Sequence, residues 1–183
     1  MRKVLFLFGQ LNDDDIEWML RAGSKREIPA GGVLITQGVP TPAVFIVLAG
    51  RFAVKLRAKA GPDAEIARLQ AGEIVGEMSF IDARPPSATV QALDDATVFV
   101  LPKTTLQTKL DTDQGFAARF YRALAIYLST TVRERHRALG IGVPGGDEDD
   151  DGEVEGELDV AVLDGVSRAG ERFDRMVKWV LAA

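Results

Sequence analysis

The stretch 72–90, GEIVGEMSFIDARPPSATV, decides how the rest of the chain is read. Gly76 lets the backbone come close to another group, and the EMSF that follows has the makings of a short helix whose free N–H groups face an anion. A carboxylate at Glu77 repels phosphate, so its useful partner is a sugar hydroxyl. Met78 and Ser79 continue the turn, and Ser87, Ala88 and Thr89 lead back into a strand, offering hydroxyls and backbone donors. The stretch reads as a loop shaped for a phosphate ester, and Arg84 is its one cation. Pro85 biases the backbone of Arg84 towards extended conformations. From there the side chain either curls back to the anion, over roughly 7 Å for two extended residues, or points to solvent.

On both sides of this loop, from Ser24 to Pro102, short β-rich runs follow one another: KREI, GGVLITQG, AVFIVLAG, RFAVKLR, AEIARLQ, SATVQAL and ATVFVLP, divided mostly by Gly, Pro and Asp. Seven or eight strands at this spacing predict a sandwich or barrel. Gly50 supplies the turn of an apparent hairpin, VLAGRFAV. Before the strands, LNDDDIEWMLRAG carries a cap at Asn12, acids in its first turn and a terminal Gly23, the signals of a helix over about 13–22. After them, helices are expected over about 103–111 and 113–139. Phe116, Phe120, Ala123, Tyr127 and Thr131, widened by Leu124 and Leu128, make one face of the longer helix apolar. A helix of that length reaches roughly 40 Å and overhangs a domain of this size, so a second copy of the same helix is expected to cover the remainder.

The net charge of −5 is local in origin. Nine of the 27 acidic residues lie between Asp147 and Asp159 with no basic residue among them, leaving 18 acidic against 22 basic residues elsewhere, about +4. Residues 140–157, GIGVPGGDEDDDGEVEGE, read as an acidic flexible linker. In the tail, 158–183, Val162, Val166, Ala169, Phe173, Met176 and Val180 recur at alternating steps of four and three. This is an amphipathic helix that must dock on its own domain, pair with a second copy or bind a protein partner; membrane-surface binding is the lesser reading.

Several classes of function are excluded or disfavoured. With no cysteine there is no disulfide, thiolate metal site or cysteine nucleophile. The five apolar residues from Val4 to Phe8 are too few for a signal peptide, and no run reaches a membrane span, so a cytoplasmic location is expected. The single histidine, His136, sits in RERHR at a helix end, where a positive charge complements the dipole. Neither catalysis nor a resident metal or cofactor is expected. Residues 12–15, NDDD, are a helix start rather than a metal site.

Taken together, GGVLITQGVPTPAVFIVLAG, the GEIVGEMSFIDARPPSATV loop and the helices around them resemble the cyclic nucleotide-binding domain over about Phe6 to Leu139. The resemblance implies a mainly β fold with flanking helices, an eight-stranded jelly-roll-like barrel over about 24–102, within a domain spanning 1–139. It further implies a regulatory module for cyclic AMP or cyclic GMP, with Gly76, Glu77, Met78, Ser79, Arg84, Ser87, Ala88 and Thr89 as the phosphate cassette and Glu77 on the ribose. The family's arginine, which pairs with the cyclic phosphate, falls at Pro86 here, and Arg84 stands two positions earlier. Either the chain binds a cyclic nucleotide weakly or atypically, with Arg84 as substitute cation, or it has lost the ligand and serves as a dimerisation or docking module. Many relatives carry a DNA-binding domain of roughly 70 residues after the long helix. The acidic tail here would repel a phosphate backbone, and no specific nucleic-acid binding is expected.

Overall fold

The structure, a computed structural model, describes residues 4–58, 61, 63–138 and 160–182. Two helices, α1 (Val4–Gln10) and α2 (Asp13–Ala22), precede the strands β1 (Ser24–Ile28), β2 (Val33–Ile35), β3 (Ala43–Ala49), β4 (Phe52–Leu56), β5 (Ala64–Leu69) and β6 (Ile74–Val75). The short α3 (Met78–Ile81) comes next, then β7 (Thr89–Ala92), β8 (Ala96–Pro102), α4 (Lys103–Thr112), α5 (Gln114–Ala138) and α6 (Val160–Ala182). The strands form two four-stranded sheets, β1-β8-β3-β6 and β2-β7-β4-β5, and all their pairings are antiparallel. This is the eight-stranded jelly roll that the sequence leads one to expect. The acidic linker lies outside the described residues.

The strand β3 explains the layering. Its sequence, AVFIVLA, is apolar without alternation because both faces are covered. Ala43, Phe45 and Val47 pack between the sheets with Phe52, Val90 and Val98, whereas Val44, Ile46 and Leu48 pack outwards with Phe99 and Leu101 against the helices. At the β3–β4 hairpin Gly50 is required: its φ is +83°, and a Cβ there would lie 2.5 Å from that of Ala96.

The helical layer is pinned by three polar contacts. Asn12 and Asp15 form a reciprocal capping box at the start of α2. The same Asp15 carboxylate, nearly buried, takes a bidentate pair from Arg119 of α5 at 2.7 and 2.8 Å. The NDDD run is thus a helix start, and its third aspartate also clamps the long helix. On the other side of α1, Arg172 of α6 donates to the carbonyls of Phe8 and Leu11 at 2.8 and 2.7 Å and to Asp13 at 2.7 Å. It closes the last turn of α1 on the first turn of α2.

One feature differs from expectation, and the tail and the long helix each take one of the arrangements that were open to them. The chain forms a helix at 4–10, which its unbroken apolar run conceals. The tail helix docks on its own domain: Ala169, Phe173, Met176 and Val180 are buried with Val4, Leu7 and Phe8 in one core, and the rings of Phe8 and Phe173 lie 6.2 Å apart. The apolar face of α5 is buried within the chain at Phe116, Phe120, Ala123, Leu124 and Tyr127, covered in part by α1. A different stripe of α5 is left uncovered, with Tyr121 46% and Val132 49% exposed, Ala125 exposed and Leu128 half-buried between them.

Candidate functional site

The cassette begins where β6 ends. Gly76 has φ +87°, and a Cβ added there would lie 3.0 Å from the carbonyl oxygen of Ala43, so the glycine is needed both for its conformation and for the close pass beside β3. Glu77 follows in helical conformation and is buried; its carbonyl accepts from the N–H groups of Phe80 and Ile81, which starts α3. Ser79 donates its hydroxyl to Gly76 O at 3.2 Å and folds the loop back on itself. Met78 is 57% exposed on the outer side of α3.

Asp82 ends the helix and accepts from Arg84 N at 3.0 Å, and Ala83 between them has φ +56°, the one positive φ outside glycine among the described residues. This turn sends the Arg84 side chain outwards. It is 84% exposed and its Nε stands 3.9 Å from Asp82 Oδ2. Of the two directions open to Arg84, the structure takes the one towards solvent. The return leg is laced to the turn between β2 and β3: Gly38 N donates to Pro86 O at 2.8 Å, and Gln37 N donates to the Thr89 hydroxyl at 3.1 Å. Ser87 is exposed, and Ala88 and Thr89 are half-buried. Gly76, Glu77 and Ser79 therefore form one tight turn, Pro86 and Thr89 are braced against Gln37 and Gly38, and Arg84 stands outside both groups.

Two residues that the sequence does not single out for the site reach it through the fold. Lys103, the first residue of α4, donates from Nζ to Ser79 Oγ at 2.8 Å. Burial holds its ammonium below the ordinary lysine value of 10.5, opposed by the carboxylates of Asp82 and Glu77. Tyr127 of α5 donates its hydroxyl to Ile74 O at 3.2 Å, beside the cassette. The apolar side of α3 completes the link, since the Phe80 ring meets the Phe120 ring edge-on at 6.3 Å. The cassette is thus fastened to α4 by a polar bond and to α5 by a ring contact and a hydroxyl. At its other end, Val4 N of α1 donates to Gly72 O at 2.7 Å, just ahead of β6.

A jelly roll of two antiparallel sheets, flanked by helices and carrying this loop between β6 and β7, defines the cyclic nucleotide-binding fold. Residues 25–113 match the cyclic nucleotide-binding domain. It is 26% identical over 140 residues to an uncharacterized NTE family protein of Mycobacterium tuberculosis, covering 75% of this chain and 23% of that protein. It is 26% identical over 136 residues to a cAMP-dependent protein kinase regulatory subunit of Blastocladiella emersonii, covering 72% and 34% respectively. The chain therefore spans about a quarter to a third of the length of these relatives. Among solved structures, a cyclic nucleotide-binding domain from Methylobacillus flagellatus superposes with a TM-score of 0.68 at 23% identity, over 80% of this chain and 85% of that one, a likeness of fold.

Among the described residues no helix is long and apolar enough to cross a membrane, and no cluster of three or more His, Cys, Asp or Glu is placed to hold a metal ion.

Proposed function

We propose that the chain is a non-catalytic sensor module that binds cyclic AMP or cyclic GMP with modest affinity and passes the event to its C-terminal helices. The observation that carries this reading is the cassette turn: Gly76 at φ +87° against Ala43 O, followed by a buried Glu77, within a segment that matches the family. In this reading Glu77 accepts from the ribose hydroxyls, and Gly76, Met78, Ser79, Ser87, Ala88 and Thr89 surround the phosphate. Modest affinity follows from Pro86 standing where the family has its arginine. A charge-assisted pair contributes about 1.5–3 kcal/mol, so an unpaired phosphate loses about ten- to a hundred-fold in affinity. Transmission uses the Phe80–Phe120 contact and the Tyr127–Ile74 bond, which tie α5 to the cassette.

Calorimetric titration with each nucleotide tests the reading. Saturable heat with a dissociation constant between micromolar and millimolar supports it. No heat and no thermal shift at millimolar nucleotide overturns it in favour of a dimerisation or docking module, the reading that the outward Arg84 favours. Either way a second copy has a surface to use in the stripe of Tyr121, Ala125, Leu128 and Val132, at heptad steps of four, three and four. Val132→Glu is expected to turn a dimer into a monomer in sedimentation velocity; a wild type that stays monomeric at about 100 μM removes the dimer.

A further inference from the structure

Beside Arg84, a second cation reaches the cassette of this chain, and it comes from outside the loop. Arg84 is a poor partner for an anion: its guanidinium is 84% exposed, where water and salt screen an ion pair to little net gain, and its nearest acid is Asp82. Lys103 is placed differently. Its backbone N–H is fixed to Pro42 O at 2.9 Å, its stem is half-buried, and its ammonium rests on the Ser79 hydroxyl at 2.8 Å, one bond from the Gly76 carbonyl. A cation partly withdrawn from water interacts more strongly with an anion than an exposed one, and Ser79 takes only one of an ammonium's three N–H donors.

We propose that Lys103 is the residue that meets the ligand's phosphate in this chain, taking from α4 the role that Pro86 cannot fill and Arg84 is turned away from. The proposal rests on the cyclic-nucleotide reading above. It also adds a consequence for signalling. In a cassette that carries its own arginine the anion is held within one loop. Here the anion would be held jointly by α3 and by the first residue of α4, so ligand binding draws those two elements together. The charged groups facing the ammonium are Glu77, at the start of α3, and Asp82, at its end. Asp82 also faces Arg84, so this carboxylate competes with the phosphate for both cations.

Three variants, Lys103→Met, Lys103→Arg and Arg84→Met, are titrated with cyclic AMP beside the wild type across pH 6 to 10, with a thermal midpoint recorded for each. Lys103→Met is expected to lose about ten- to a hundred-fold in affinity, as removal of a charge-assisted contact does. Arg84→Met should stay within about threefold, the value of an exposed ion pair. Lys103→Arg should retain most of the binding. The pH profile separates a charge from a structural support: wild-type affinity should fall as pH rises through the lowered Lys103 value, below 10.5. Lys103→Arg should show no such fall, because guanidinium stays charged. A folded Lys103→Met variant that binds as the wild type does, a large loss in Arg84→Met, or a pH profile shared by wild type and Lys103→Arg would each overturn the assignment while leaving the sensor reading intact. A wild type that takes up no cyclic nucleotide overturns both.

Discussion

Replacing Asp15 by alanine tests whether the clamp between α2 and α5 carries the weight that its geometry implies. The carboxylate accepts three hydrogen bonds: one from Asn12 N at 2.9 Å, one from Arg119 Nε at 2.7 Å and one from Arg119 Nη2 at 2.8 Å. The first is half of the capping box, and its loss costs about 0.5–1 kcal/mol, since Asp15 N still donates to the Asn12 side chain. The other two form a bidentate charged pair with one partner almost buried, at 4% exposure, and the other at 35%. Breaking a fully buried pair costs about 3–5 kcal/mol. Water can reach Arg119, so about 2 kcal/mol is the discounted figure. The sum is about 3 kcal/mol, or a fall of roughly 6–12 °C in melting temperature for a chain of this size. Calorimetry or urea unfolding of Asp15→Ala, Arg119→Ala and the double variant reads the total and isolates the pair as a coupling energy of about 1.5–2 kcal/mol. A total below 1 kcal/mol, or coupling near zero, refutes the argument that the aspartate is shared between cap and clamp.

Phe173→Ala should remove about 3–4 kcal/mol from the docking of α6, because the ring is 1% exposed and its loss opens a cavity in the core it shares with Phe8. Hydrogen exchange should then speed up in α6 and α1 while the strands keep their protection. Docking of α6 should also weaken in acid. The Arg172 guanidinium, by hydrogen bond and charge, holds Asp13 below its ordinary value of 3.8. A carboxylate with a lowered folded value stabilises the fold above 3.8 and loses that contribution as pH falls through the lowered value. Emission from Trp179 in a Trp18→Phe background should follow this loss below about pH 4, and the change should vanish in Asp13→Asn. Gly76→Ala should cost about 1–2 kcal/mol in urea unfolding, since an L-residue is strained at φ +87° and its Cβ would press on Ala43 O. Stability equal to wild type would show that the turn relaxes.

Much of the fold was legible because most of its signals are local. Alternating or continuous apolar runs between glycines and prolines marked seven strands, and the Asn12–Asp15 cap marked α2. What stayed hidden depends on contacts far along the chain. The β6 strand is two residues long, Ile74 and Val75, and is a strand only because Phe45 and Ile46 of β3 lie beside it. The α1 segment, VLFLFGQ, has no acid in its first turn, no basic residue in its last and apolar residues on every side. It is helical because α5 and α6 cover it. The self-docking of α6 was one of the outcomes open to the sequence, and Arg172 with its three acceptors decided between them. At the site, the cassette turn and the displaced arginine could be read directly, since both lie within one loop. Lys103 and Tyr127 could not, because each is brought there by the packing of its helix.

The double-sided burial of β3 sets the smallest part of this chain that could be transplanted. A fragment cut at the edges of the sandwich would bring Val44, Ile46, Leu48, Phe99 and Leu101 with it and leave behind the helices that cover them. Its outer face would be as greasy as its interior, and such a fragment should aggregate when expressed alone. The family match at 25–113 includes α4 but not α1, α2, α5 or α6. A biosensor or fusion built on the matched segment would fail for want of a lid, whereas one that keeps both ends of the chain would carry its own.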